Sequence, residues 1–226
     1  MRKWLKRIFL AGLVLALVPF LLVPVLAVVN PPVTVFQLGK RLGGAPITSA
    51  WLAYERISGH LPAAVVAAED GRFCSHHGVD WQAVQTVVED KLENPGQKAR
   101  GASTITMQLA KNLFFPPGRS YLRKAMEIPL ALWIDLVWSK RRQLEVYLNI
   151  VEWAPGVYGA QAAARRHFGK SAGRLNRREA ALLAASLPNP AVRNAGRPGR
   201  FTRRHARRIR KRAAGSGPSL RCIRAR

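Results

Sequence analysis

Three observations predict a mainly α chain with one folded domain behind an N-terminal transmembrane helix. An early apolar run is long enough for a bilayer, later apolar residues recur at helical spacing between capping residues, and nothing reads convincingly as a sheet. The run is Phe9 to Val29, FLAGLVLALVPFLLVPVLAVV, preceded by Arg2, Lys3, Lys6 and Arg7. Roughly 20 apolar residues match the hydrocarbon core, and flanking cations favour the cytoplasmic side. Pro19 and Pro24 are tolerable in such a helix, where local adjustments re-satisfy the freed carbonyls. A cleaved secretory signal is the competing reading. Its apolar core would usually be shorter, about 7–15 residues, and no clear small-x-small site precedes Asn30-Pro31-Pro32. Either reading places the remaining chain outside the cytoplasm.

The chain divides into four segments: a basic start and anchor at 1–29, a Pro/Gly-punctuated linker at 30–46, a domain at 47–190 and a basic tail at 191–226. Inside the domain, Leu61-Pro62 opens a helix, with proline near its first position. Asp80 can cap WQAVQTVVEDKL, and Asn94 to Gly101 reads as a loop. Ser103 or Thr104 can cap ITMQLAKNLFF, which stops hard at Phe115-Pro116-Pro117-Gly118. Ser120 opens a longer stretch to Trp138, kinked where Pro129 removes a backbone donor. Ser139 can cap KRRQLEVYLNIVEW, Gly156 to Gly159 turns the chain, and AQAAARRHFG ends at Gly169. Asn176 and Glu179 form an Asn-led capping box before AALLAASL, which Pro188 ends.

The net charge of +25 over 226 residues calls for an anionic partner: nucleic acid, phospholipid or a phosphorylated substrate. About half of the excess sits in the tail, where thirteen Lys/Arg face no acid. Such a tail reads as solvated or lipid-hugging and says little about chemistry. Cys74 and Cys222 are too few for a disulfide framework, and their separation gives no reason to pair them. Cys74, beside Phe73, reads as a small buried filler.

Acids are scarce, so an acid ending an apolar helix needs a reason. Glu69 follows Ala63-Ala64-Val65-Val66-Ala67-Ala68. Partial desolvation there would raise its pKa and suit a general base or acid near neutrality; the plain alternative is a helix-end charge paired with Arg72. Gly101 to Asn112 (GASTITMQLAKN) sets hydroxyls at a helix start, with Thr104, Gln108 and Lys111 on one face. An ordinary capped helix with a solvent lysine is the alternative. Arg119, Arg123 and Glu127 form a stripe at i, i+4 and i+8, either a surface ion pair or, with Lys124, part of a phosphate site. His76-His77 lacks metal-ligand spacing, and the six tryptophans read as core or interface anchors.

Together these segments resemble the peptidoglycan glycosyltransferases, the polymerase domain shared with class A penicillin-binding proteins. EDGRFCSHHGVD (Glu69 to Asp80) is similar to that family's E-D-x-x-F-x-x-H-x-G-x-D, and GASTITMQLAKN to its G-G-S-T-I-T-Q-Q-L-x-K-N. Arg123-Lys124-Ala125-Met126-Glu127 fits R-K-x-x-E, and KRRQLEVYLN (Lys140 to Asn149) fits K-x-x-I-L-E-x-Y-L-N with Gln143 in place of Ile. EWAPGVYGA with His167-Phe168-Gly169-Lys170 looks like the monofunctional, biosynthetic branch. The resemblance spans roughly Ser58 to Pro190, and no transpeptidase domain is expected in the residues after Pro190. Ala102 stands where the family has its second glycine and Met107 where it has its first glutamine; neither touches the expected catalytic groups.

The resemblance implies a lysozyme-like glycosyltransferase domain acting beside the membrane, on the outer, periplasmic face of the cytoplasmic membrane. It would polymerise lipid II into β-1,4-linked glycan with inversion and release of polyprenyl diphosphate. Glu69, Glu127 and Lys111 are the implied catalytic residues. Glu69 would take the acceptor hydroxyl proton; Lys111, Arg119 and Arg123 would stabilise charge on the departing diphosphate; Glu127 would orient those cations or help hold a divalent metal (Mg or Mn). Asp70, Phe73, His76, Ser103, Thr104 and Gln108 would build the substrate cleft. Partners would be lipid II, the growing lipid-linked glycan, membrane phospholipid, and cell-wall synthesis or division proteins, with no nucleic acid. A wall hydrolase or lytic transglycosylase would share the α fold but would not need these cations. A tethered polyanion binder would use the tail alone.

Overall fold

The computed structural model describes residues 2–94, 101–118, 121–215 and 218–223; within these, the side chains of residues 2, 5, 8–13, 15, 121, 122, 218 and 219 are not described. The loop expected at 94–101 and the site residue Arg119 therefore lie largely or wholly outside the described part. Helix α1 (Arg2–Leu26) carries the apolar run. Among the described residues no helix is long and apolar enough to cross a membrane.

The end of α1 is fastened to the domain. Trp133 and Trp138 donate their indole N–H groups to the Phe20 and Val23 carbonyls, at 3.0 and 2.7 Å. Arg142 donates to the carbonyls of Leu26 (3.0 Å) and Val29 (2.9 Å) and to the Asn30 side chain. In the stretch expected to be a linker, α2 (Val35–Leu42) forms behind a capping box between Thr34 and Gln37.

The central layer is built from α3 (His60–Glu69), α5 (Ile105–Phe114), α6 (Tyr121–Val137), α7 (Lys140–Ile150) and α9 (Arg177–Ser186). Helix α4 (Trp81–Glu93) lies at the surface, with Trp81 and Leu92 exposed, and α8 (Ala160–Phe168) packs beside a small sheet. The caps appear where the residues require them: Asp80 accepts from the Ala83 N–H, Thr104 from Met107, Ser139 from Arg142, and Asn176 with Glu179 closes a capping box. Small residues let α3 and α9 approach closely, and Ala64, Val65, Ala181 and Ala184 are buried there.

Three further features depart from expectation. First, a sheet exists. Strand β1 (Thr48–Ser49) pairs in parallel with β3 (Val157–Tyr158), which pairs antiparallel with β2 (Glu152–Ala154). Strands of two or three residues are too short to show alternation. Gly156 has φ +70°, and a Cβ there would stand 2.1 Å from the Pro46 carbonyl oxygen, so the turn needs glycine.

Second, the basic tail folds back. Helix α10 (Arg200–Gly215) packs on α3 and α9, burying Thr202, Ala206 and Ile209, a narrow stripe at i, i+4 and i+7. Third, Cys74 and Cys222 form a disulfide with a Cα–Cα separation of 5.6 Å. Cys74 is thus a cross-link and not a filler. It ties the segment after α3 to a final 3₁₀ turn (Pro218–Ile223) whose Leu220 and Ile223 enter the core.

Candidate active site

Glu69 is the last residue of α3 and Asp70 steps out of the helix (φ −158°, ψ 73°), so two neighbouring carboxylates diverge. Asp70 turns inward. Its carboxylate meets His76 Nε2 at 3.0 Å and accepts the Ile105 backbone N–H at 2.9 Å. Thr104 adds a second tie, donating from Oγ1 to the Gly78 carbonyl at 2.6 Å while capping α5. Gly78 has φ +75°, and a Cβ there would lie 2.5 Å from the Ala131 carbonyl oxygen, so only glycine passes so close to α6. Phe73 is fully buried beneath the Lys140 ammonium, 4.6 Å from its ring centroid. Asp70, Phe73, His76 and Thr104 are all buried and brace the joint between α3 and α5.

Glu69 turns the other way and stays partly exposed. Gln108 Nε2 donates to its Oε2 at 2.9 Å, and Tyr147 on α7 donates to Gln108 Oε1 at 3.0 Å. Burial pushes the Glu69 carboxyl above its ordinary range, against the opposing pull of the Gln108 hydrogen bond and the Lys111 and Arg193 charges. Burial also holds the Tyr147 phenol well above its usual value, with Glu69 and Asp70 adding to the shift, so it remains a donor.

Lys111 lies one turn beyond Gln108 on α5, partly buried, and feels both Glu69 and Glu127. Burial draws its ammonium below the ordinary lysine range; Glu127 opposes that, and Arg123 and Lys124 reinforce it. Glu127 is only 2% exposed. It accepts from Arg123 Nε at 3.0 Å and Lys124 Nζ at 3.1 Å, and Lys124 also donates to Ser103 Oγ at 2.9 Å. One end of the site is thus a desolvated carboxylate held by an amide. The other is a group of three cations organised around a buried acid.

A transglycosylase family model matches residues 37–213. The chain belongs to the transglycosylase family. A biosynthetic peptidoglycan transglycosylase of Rhizobium johnstonii is 49% identical over 223 residues, covering 98% of this chain and 90% of the relative. One of Rhodopseudomonas palustris is 50% identical over 206 residues, 91% of this chain and 86% of the relative. A third, of Rhizobium meliloti, is 54% identical over 173 residues, 76% of this chain and 72% of the relative.

Within this transglycosylase the two substitutions in the second motif have physical settings. Met107 is buried against Val79 and Ala131, an apolar niche in which a glutamine amide would face hydrocarbon. Ala102 is accommodated because no described non-glycine residue has positive φ. Gln143, where an isoleucine is usual, is fully buried but satisfied: Thr106 Oγ1 donates to it at 2.8 Å, and it donates to Asp135 at 2.9 Å and to the Trp138 carbonyl at 3.1 Å.

Two residues near Glu69 are not singled out by the sequence. Tyr147 lies inside the KRRQLEVYLN motif, but no spacing connects it with a helix 39 residues earlier. Arg193 reads as one more tail charge. It donates to the Ala185 carbonyl at 3.1 Å and stacks over Phe201 of α10, 5.0 Å from the ring centroid.

Proposed function

We propose that this chain, a peptidoglycan glycosyltransferase of cell-wall synthesis by its family and relatives, extends a lipid-linked glycan by one lipid II disaccharide per turnover, in a lysozyme-like domain. One observation carries the reading: a carboxyl raised by burial is held by Gln108, one helical turn before Lys111 of the cation cluster. The Glu69 carboxylate takes the proton of the acceptor 4-hydroxyl. That oxygen bonds to the donor's anomeric carbon from the opposite face as the bond to the diphosphate oxygen breaks, so α becomes β. The electron pair departs with the polyprenyl diphosphate, whose charge Lys111 and Arg123 stabilise, with Arg119 assigned the same task from its place in the sequence. A diphosphate leaves without protonation of the kind a sugar alkoxide needs, so one carboxylate base suffices.

A divalent ion such as Mg or Mn at the diphosphate would fall to Glu127. Both of its oxygens already accept from cations. Among the described residues no group of three or more His, Cys, Asp or Glu is placed to hold an ion. A hard cation needs several oxygen ligands, so the residues present do not fit a protein-held metal, and no step is routed through one.

Residues 9–29 supply the proposed single-pass anchor, with the domain on the outer face of the cytoplasmic membrane. The apolar run supports the first, and the Cys74–Cys222 disulfide supports the second, because such bonds persist in oxidising compartments. Cell-wall synthesis and division proteins are proposed partners on family grounds alone. The decisive experiment is polymerisation of lipid II by Glu69→Gln, which keeps the shape and removes the base. Loss of product is expected; strands formed at the wild-type rate would reject the assignment.

A further inference from the structure

A cavity of about 1240 Å³ opens at the end of α3 opposite Glu69, between the first turn of α9 and the second half of α10. The ten residues of α3 put roughly 14 Å between its two ends, so the cavity is separate from the Glu69 carboxylate. Its walls carry Arg141, Arg177, Arg178, Arg210 and Lys211 against one acid, Glu55, which is already paired with Arg141. Its floor is apolar and includes Ile57, Ala64, Leu220 and Ile223. A smaller cavity of about 310 Å³ shares Arg178 and Arg210 and adds Arg203 and Arg207, extending the cationic wall along the α9–α10 seam. The first free N–H groups of α9 are taken by Asn176, so side-chain cations, not the helix end, set the potential.

An apolar floor under a cationic rim fits an anionic amphiphile better than a wholly polar anion, because the floor would otherwise face water. Position narrows the choice. Arg141 lines the cavity, and its neighbour Arg142 clasps the Leu26 and Val29 carbonyls where the apolar run ends. We propose that this cavity binds an anionic phospholipid, its phosphate among Arg177, Arg178 and Lys211 and its acyl chain against Ile57, Leu220 and Ile223. The membrane location rests on the anchor proposed for residues 9–29; the chemistry of the cavity does not.

The test uses the full chain in a neutral detergent, titrated by calorimetry with dioctanoyl phosphatidylglycerol, dioctanoyl phosphatidylcholine or inorganic phosphate. Phosphatidylglycerol is expected to bind and the other two to bind far more weakly. Replacing Arg177, Arg178 and Lys211 with Gln should weaken that binding on the order of a hundredfold. The triple variant Arg177→Lys, Arg178→Lys, Lys211→Arg should retain it. Both variants should polymerise lipid II in detergent at the wild-type rate, which shows them folded and separates this site from Glu69. Equal binding of the two phospholipids, or no change in the Gln variant, overturns the proposal. Phosphate binding as tightly as phosphatidylglycerol makes this a free-anion site, and a glutamate-rich peptide that outcompetes the lipid makes it a protein-docking site; either result also overturns it.

Discussion

Gln108 donates to Glu69 across 2.9 Å with an amide whose oxygen is itself held by Tyr147 at 3.0 Å. The second bond fixes which end of the amide faces the carboxylate. Without it, the amide could turn its oxygen toward Glu69 and repel the ionised base.

Tyr147→Phe removes that constraint while keeping the ring in the core. Losing a hydrogen bond worth about 1 kcal/mol should lower kcat by roughly fivefold to tenfold. Single-turnover kinetics at saturating lipid II would check this, with little change expected in KM. A kcat equal to wild type would make Tyr147 a packing residue only.

Activity should follow a bell-shaped pH profile narrower than free Glu and Lys side chains would give. Glu69 must be ionised, and its pKa is raised above 4.5, so activity falls as pH drops through that higher value. Lys111 must be charged, and its pKa is lowered from 10.5, so activity falls as pH rises through the lower value. Gln108→Leu should move the acid limb further up, since it deletes a bond that favours the charged carboxylate. Lys111→Ala should lose turnover with its circular dichroism intact; an unfolded variant would instead mark Lys111 as structural.

A raised carboxyl pKa also costs stability at neutral pH. Stability linked to the protonated Glu69 is fully present below the unfolded-state value and is lost as pH rises through the higher folded-state value. Glu69→Gln should therefore be more stable than wild type at pH 7, and the gain should shrink at pH 4. Denaturant midpoints at the two pH values decide it, and a variant no more stable at pH 7 would count against a desolvated base.

Met107→Gln restores the residue usual in the family but sets an amide against Val79 and Ala131, and Met107 is only 3% exposed. The cost should be about 2 kcal/mol, seen as a lower urea midpoint. A neutral result would mean that the niche opens to water.

The Cys74–Cys222 cross-link spans 148 residues of sequence. Constraining so long a loop in the unfolded chain corresponds to an upper figure on the order of 5 kcal/mol in the chain-entropy model. Reductant, or Cys222→Ser, should lower the guanidinium midpoint and loosen the 3₁₀ turn at 218–223. Unchanged midpoints with and without reductant would show that noncovalent packing of that turn is sufficient.

The helices are legible because their ends are written locally: Asp80, Thr104, Ser139 and Asn176 each cap within three residues of themselves. The same local code announces α2 through Thr34 and Gln37, yet the prolines and glycines around it make the stretch look like a linker. Features that join distant residues leave no such trace. The β1–β3 pairing links residues more than 100 apart, the disulfide 148, and the Tyr147–Gln108 contact 39. The Thr202, Ala206 and Ile209 stripe of α10 is present in the sequence but submerged among arginines. At the site, motif resemblance supplies Glu69, Lys111 and Glu127, whereas Arg193 has no signal beyond one more positive charge.

In its first turn helix α7 carries Arg142, which grips the end of α1, and five residues later it presents the hydroxyl that steadies the base through Gln108. With α1 in the bilayer, as proposed, a single rigid strut sets both the height of the reacting carboxylate above the lipid surface and its bearing. With the bonds from Trp133, Trp138 and Arg142 to that helix kept, the domain would not swing freely about its tether. Each sugar would be added at one elevation and heading, and the finished strand would be paid out in one direction, like thread from a fixed spool.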